Sequence, residues 1–202
     1  LGDEGAAYSN FYNRRADYGP SENDIRSRLT WSSVYQLPFG KGRRFLTDGL
    51  GGKALGGWSI GAVMLLQSGP PITVATQQNT TFSNSAGALR ADVIKDPNLP
   101  VGEREIYRWF DTTAFRQPVN YTFGNQGVGL VRGPGVINLN TSLIRTFRLL
   151  ERYQLQFRGE AFNLANHANF GTPGRVFEGP GFGIISSARP ARQIQVGMRL
   201  TF

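Results

Sequence analysis

The ten residues from Gln193 to Phe202 alternate between apolar Ile194, Val196, Met198, Leu200 and Phe202 and polar or small Gln193, Gln195, Gly197, Arg199 and Thr201. Successive side chains of a strand point to opposite faces, so this stretch carries one apolar face and one polar face along its whole length. About ten such residues suit a tilted strand that crosses an outer membrane. A soluble sandwich strand shows the same alternation, but it seldom runs this long.

Composition agrees with strands and turns. The chain has 26 Gly and 12% aromatics against only 18% charged residues, which argues against a helical bundle. No window holds the ~18 consecutive apolar residues of a membrane helix, and barrel strands need none because they expose apolar side chains only at every second position. Cysteine is absent, which removes disulfides, thiolate metal sites and cysteine nucleophiles. The chain begins at Leu1 without a basic and apolar leader, so an export signal is either removed or lies upstream of a fragment. The formal charge of +8 is spread over strands and turns instead of one basic face with stacking aromatics, which speaks against nucleic-acid binding.

Counting alternation predicts five strands, over residues 28–39, 57–67, 137–149, 152–163 and 193–202. The expected fold is all-β, an antiparallel transmembrane β-barrel segment with long outer loops. The Leu149 to Arg152 link is short, whereas Gln77 to Gly135 and Ala165 to Arg189 are long and rich in Gly, Asn and Pro. Outer-membrane barrels have short periplasmic turns and long outer loops, so the strands are expected to run down, up, down, up, down. The Gly40 to Gly56 link is long for a periplasmic turn, and its glycines read as tight turns. In this scheme Phe39, Trp58, Phe147, Tyr153 and Phe202 form an aromatic girdle at the periplasmic end. Arg145 is the misfit, since it shares parity with Leu143 and Phe147 and must snorkel to headgroups or sit beside a bulge. Five strands cannot close a barrel, so the remaining strands are expected upstream in the same parent protein.

With the strands placed, RGPGVINLNTSLIRTFRLLERYQLQFRGEAFNLANHANFGTP, from Arg132 to Pro173, resembles the C-terminal barrel region of TonB-dependent receptors of the type that begins with a carboxypeptidase-regulatory-like domain. RLTWSSVYQLPFGKGRRF, LGGWSIGAVMLLQSGPPITV, WFDTTAF and the ending QVGMRLTF support it, and EAFNLANHANFGTP is its most specific run. The resemblance implies a ligand-gated importer with a plug inside a barrel of about 22 strands. It also implies an inner-membrane TonB complex as energy source and Phe202 as part of the signal read by the barrel assembly machinery. Neither a plug nor a TonB-contact segment is recognisable in this sequence.

The candidate ligand-binding residues lie in the longest loop, where Arg104, Tyr107, Arg108, Trp109, Phe110 and Arg116, with Phe115, offer stacking and hydrogen bonding to a glycan or peptide. The alternative is that these aromatics fold the loop back onto the barrel mouth. Asn138, Asn140, Gln154, Gln156, Arg158, Glu160, Gln195 and Arg199 are the expected lumen-lining set. His167, the sole histidine, lacks a catalytic partner set and reads as structural. Lys53 in GLGGKALGG is not followed by Ser or Thr, which defeats a phosphate-loop reading. Asp92, Asp96, Glu103 and Glu105 match no calcium loop and read as solvated acids.

The expected function is outer-membrane uptake of a bulky substrate, without enzymatic activity, cofactor or metal. Its expected partners are membrane lipid, the upstream strands and plug, the TonB complex, the assembly machinery and an unidentified bulky ligand. The rival is a soluble β-sandwich that binds carbohydrate or peptide. It requires a core packed between two sheets.

Overall fold

The structure is a computed structural model that describes residues 9–10, 12–82, 89–148 and 152–202. In chain order the strands are β1 (Arg28–Gln36), β2 (Trp58–Gln67), β3 (Pro71–Ile72), β4 (Asp92–Val93), β5 (Phe115–Arg116), β6 (Val131–Arg132), β7 (Val136–Arg148), β8 (Gln154–Phe162) and β9 (Gln193–Thr201). A short helix, α1 (Gly49–Leu55), stands between β1 and β2. The fold is therefore mostly β. The chain divides into two compact units, a sheet unit of residues 28–67, 136–169 and 190–202 and a loop unit of residues 1–27, 68–135 and 170–189.

The sheet unit is one five-stranded antiparallel sheet in the order β1-β2-β7-β8-β9. Its register puts the alternating apolar residues on one face. Leu29 faces Leu66, Trp31 faces Met64 and Tyr35 faces Ile60. Across the other edge Leu155 faces Leu200, Phe157 faces Met198 and Ala161 faces Ile194. These apolar side chains stay uncovered: Ile194 is 70% and Met198 73% exposed. A sandwich would bury this face, and with it the sandwich reading is set aside. The opposite face carries Ser32, Ser142, Asn140, Gln156, Arg158, Glu160, Gln195 and Arg199.

β1 stops at Gln36, three residues before the expected Phe39. Pro38 explains it, because proline brings no N–H to a ladder. Phe39 instead bridges Phe45 inside the connection, with ring centroids 6.4 Å apart. The glycine-rich stretch that follows differs from the expected tight turns: Gly49–Leu55 is helical. Gly52 lets it pack closely, since a side chain there would overlap the Leu46 carbonyl, and the helix ends where the Gly56 N–H donates to the Gly52 carbonyl at 2.9 Å.

That helix resolves Arg145. The ladder runs through Arg145 in regular register, opposite Trp58 and Phe157, with no bulge. Its guanidinium donates to the Ala54 and Lys53 carbonyls at the end of α1, where a cation meets unpaired carbonyls and the negative end of the helix dipole. It also stacks 5.6 Å from the Trp58 ring centroid and 4.2 Å from that of Phe147. Arg145 thus turns to a protein partner rather than to headgroups. Leu149 to Glu151, the core of the expected short periplasmic link, lies outside the described residues.

The asparagines of EAFNLANHANFG form a second scaffold. The Asn169 carboxamide both accepts from the Ile137 N–H (2.8 Å) and donates to its carbonyl (2.9 Å), as a strand neighbour would. Asn163, buried with φ of 51°, takes its N–H to Asn140 Oδ1 and pairs with the backbone of His167 through its own amide. A left-handed asparagine is tolerated because its short side chain bonds locally.

The loop unit is built from the segment before β1 and from parts of the β2–β7 and β8–β9 connections, all attached to the same end of the sheet by the pairing of Arg28 with Gln67, Gln67 with Val136 and Phe162 with Gln193. β3 pairs with β6 and β4 with β5. Ile72, Val74, Ala91, Phe110, Ala114, Phe115 and Val131 form its core. Phe182 meets Phe110, Phe115 and Phe177 edge-on at 5.3–5.9 Å between centroids, the geometry favoured by ring quadrupoles. Buried Gln126 carries an amide oriented to bond both backbone groups of Val74. Arg90, only 6% exposed, fastens the segment before β1 through Asp17 (2.8 Å), Ser9 Oγ (2.8 Å) and the Ala16 carbonyl (2.9 Å).

Candidate functional site

One concave surface in each unit gathers the candidate residues. On the polar face of the sheet a depression of about 550 Å³ lies between Ser32, Val34, Val63, Asn140, Ser142, Arg158, Glu160 and Phe162. Gly61, paired with Val34 on one side and Ser142 on the other, opens its floor by lacking a side chain. Glu160 is held there by two donors, Arg158 Nη2 and Gln195 Nε2, each at 2.5 Å. Asn138, Gln154, Gln156 and Arg199 share that face by register. Leu65, Ile144 and Phe162 share it too, so the face is less uniformly polar than the alternation of β8 and β9 alone suggests.

The loop pocket, of about 470 Å³, is lined by Arg26, Ser68, Gly69, Val101, Arg104, Trp109, Arg132, Gly133 and Gly135. Its backbone floor is tight. The Gly133 N–H donates to the Pro70 carbonyl at 2.9 Å, and a side chain at Gly69 would overlap the Gly133 carbonyl. Trp109 forms a wall. Its indole N–H donates to the Arg132 carbonyl (2.8 Å), and the Arg104 guanidinium lies 5.7 Å from its ring centroid. Arg104 is steadied by its Nε, which donates to the Leu99 carbonyl at 2.8 Å. Arg132 Nη2 stands 3.7 Å from Asp24, while its Nη1 is buried and has no hydrogen-bond acceptor among the described residues.

The candidate ligand residues separate accordingly. Arg104 and Trp109 meet in this pocket. Tyr107 and Arg108 stand exposed on a tight turn closed by mutual backbone hydrogen bonds between Glu105 and Arg108. Phe110 is corrected: at 1% exposure it is a core residue, because the loop folds around it, and it offers no contact surface. Phe115 is buried with it. Arg116 is exposed and pairs with Asp92 at 3.4 Å. Arg26, Ser68 and Arg132 escaped the sequence reading because each lies far along the chain from Trp109 and belongs to no shared pattern.

Of the four loop acids, Glu103 and Glu105 are exposed, as expected of solvated groups, whereas Asp92 and Asp96 are engaged. Asp92 is nearly buried and accepts from the Asn125 N–H as well as pairing with Arg116. Lys95, 2.6 Å from Asp111, holds that carboxyl below the usual carboxylate range, helped by the Thr113 hydroxyl and N–H. The Asn98 N–H and amide lower Asp96 in the same way.

A family model described as an outer membrane beta barrel domain matches residues 1–195. Among curated proteins and among solved structures nothing matches the chain. A two-faced antiparallel sheet with one face left apolar is the form such a domain takes in lipid. The chain belongs to the outer membrane beta barrel domain family and is a protein of the bacterial outer membrane.

Proposed function

We propose that this chain is barrel wall and outward loops of a TonB-dependent receptor that imports a bulky substrate, with no enzymatic role. The observation that carries this reading is the loop unit. Segments attached to one end of the sheet fold around their own aromatic core and leave a half-buried basic and aromatic pocket. A passive pore has no need of a separately packed binding platform, whereas a receptor that must capture a scarce ligand benefits from a preorganised one.

In this reading β1 and β9, the sheet's edges, pair with further strands of the parent protein, because each unpaired backbone group in lipid costs several kcal/mol. The apolar face meets lipid. The polar face, with Asn138, Asn140, Gln154, Gln156, Arg158, Glu160, Gln195 and Arg199, lines the lumen and meets a plug supplied by the parent. Energy comes through the TonB complex, and Phe202 takes part in recognition by the assembly machinery.

The test compares cells that carry the intact parent gene with a deletion strain, using fluorescently labelled oligosaccharide and peptide mixtures with and without a protonophore. Uptake that depends on the gene and disappears with the protonophore is expected. Gene-dependent uptake that persists in de-energised cells would reduce the protein to a passive pore.

A further inference from the structure

The loop pocket has a chemical asymmetry. Three arginines, Arg26, Arg104 and Arg132, line a single cavity together with Trp109. Guanidinium donates only and does not lose its proton. Against three positive groups the structure sets one carboxylate, Asp24, which reaches Arg132 at 3.7 Å. Ser68, the one lining side chain with an oxygen, already accepts from the Ser27 N–H at 3.0 Å. The lining side chains are therefore rich in donors and poor in acceptors.

Arg132 is held in place by the fold: its Nη1 is closed off from solvent and its Nη2 stands 3.7 Å from Asp24, which leaves only the remaining surface of this partly exposed side chain to meet a ligand. The remaining lining carries no charge: the Trp109 ring, Val101 and the glycine backbone of Gly69, Gly133 and Gly135. Such a wall suits the apolar face of a sugar ring, and the donors around it suit an oxyanion on that ring.

We infer that the Arg26–Arg104–Arg132–Trp109 pocket binds a carboxylate-bearing sugar, its ring against Trp109 and its carboxylate among the three arginines. This rests on the receptor reading and supplies the substrate class: an acidic oligosaccharide of which one end enters the pocket. An acidic peptide is the alternative the test separates, since it presents its carboxylates on flexible side chains and offers no rigid ring to lie against Trp109.

The test uses the intact parent receptor in detergent, titrated calorimetrically with tetragalacturonate, with maltotetraose as neutral control and tetraglutamate as acidic peptide. Tetragalacturonate is expected to bind, with affinity falling as salt rises, and maltotetraose to bind at least about tenfold more weakly. Arg132→Gln is expected to weaken tetragalacturonate roughly tenfold or more, and Arg132→Lys to restore only part of it, since a point charge replaces a two-pronged donor. Arg26→Gln, at an exposed position, gives a second reading should Arg132 variants fail to assemble.

Equal affinity for maltotetraose, preference for tetraglutamate, or no binding of tetragalacturonate would each overturn the inference. Protonophore-sensitive uptake of other substrates would survive those results and keep the receptor reading. Tetragalacturonate binding without energised uptake would support the pocket and sink the transporter.

Discussion

Arg145 and Trp58 stand opposite each other in the β2–β7 ladder and both donate to the carbonyl of Ala54. One carbonyl at the end of α1 thus collects an indole N–H and a guanidinium that also stack on each other at 5.6 Å. The arrangement ties the β1–β2 connection to the sheet and gives the charge on the apolar face carbonyl and ring partners. Arg145→Ala is expected to cost about 1–2 kcal/mol, from the lost helix-end contact and cation–π pair. Arg145→Lys should recover only part, because an ammonium cannot bridge two carbonyls and stack at once. The midpoint of urea unfolding in detergent, followed by loss of the heat-modifiable gel band, reads both.

Phe110→Ala is expected to remove about 3–5 kcal/mol from the loop unit, the usual cost of emptying a large core site. The ring contacts Phe115 and Phe182 edge-on and is almost wholly buried. Limited proteolysis of whole cells should then cut within residues 68–135 while the barrel band persists. Tyr107→Ala, at a 79% exposed position, should leave the proteolysis pattern unchanged. Equal sensitivity of the two variants would mean that the aromatic cluster does not hold the loops.

The antiparallel β-fold was legible because lipid and water impose a period of two on each strand. Met198 and Arg199 need no neighbours to declare their faces. What stayed hidden depends on partners distant in sequence. Gly49–Leu55 forms a helix against Leu46 and Arg145, although local propensity gives its glycines to turns. The loop aromatics showed the same limit: Phe110 and Trp109 are adjacent, yet one is core and the other a pocket wall. That division is set by Phe182 and Arg132, which alternation cannot find in irregular backbone. Arg26 entered the pocket from the far side of β1 and β2 in sequence, with no motif to mark it.

Acid is expected to loosen the turn at Asp111. Its pKa is lowered in the fold, chiefly by hydrogen bonding to Lys95 and then Thr113. A depressed carboxyl contributes stability that is complete above its ordinary pKa of about 3.9 and is lost as pH falls through the folded value. Proteolysis of the loop unit by pepsin should therefore accelerate below about pH 4. Asp111→Asn keeps an oxygen for the Thr113 N–H but gives up the pairing with Lys95, so its proteolysis rate should change less across that window. An unchanged pH profile in the variant would show that other acids set the acid response.

The two faces of β9 should respond oppositely to the same residue. Val196 pairs with Gly159 on the apolar face, and Gln195 pairs with Glu160 on the polar one. An arginine facing lipid near the bilayer midplane costs about 2–4 kcal/mol, less toward the interfaces. Val196→Arg in the intact parent protein is therefore expected to reduce the folded, heat-modifiable band in outer-membrane fractions. Gln195→Arg places its guanidinium beside the Glu160 carboxylate that Gln195 already reaches at 2.5 Å, so assembly should stay near the wild-type level. Because the two positions are adjacent in sequence, differences in synthesis or export do not separate them; only the face does. If both variants assembled equally, or if Gln195→Arg were the poorer, the apolar face of this sheet would not be the one in contact with lipid.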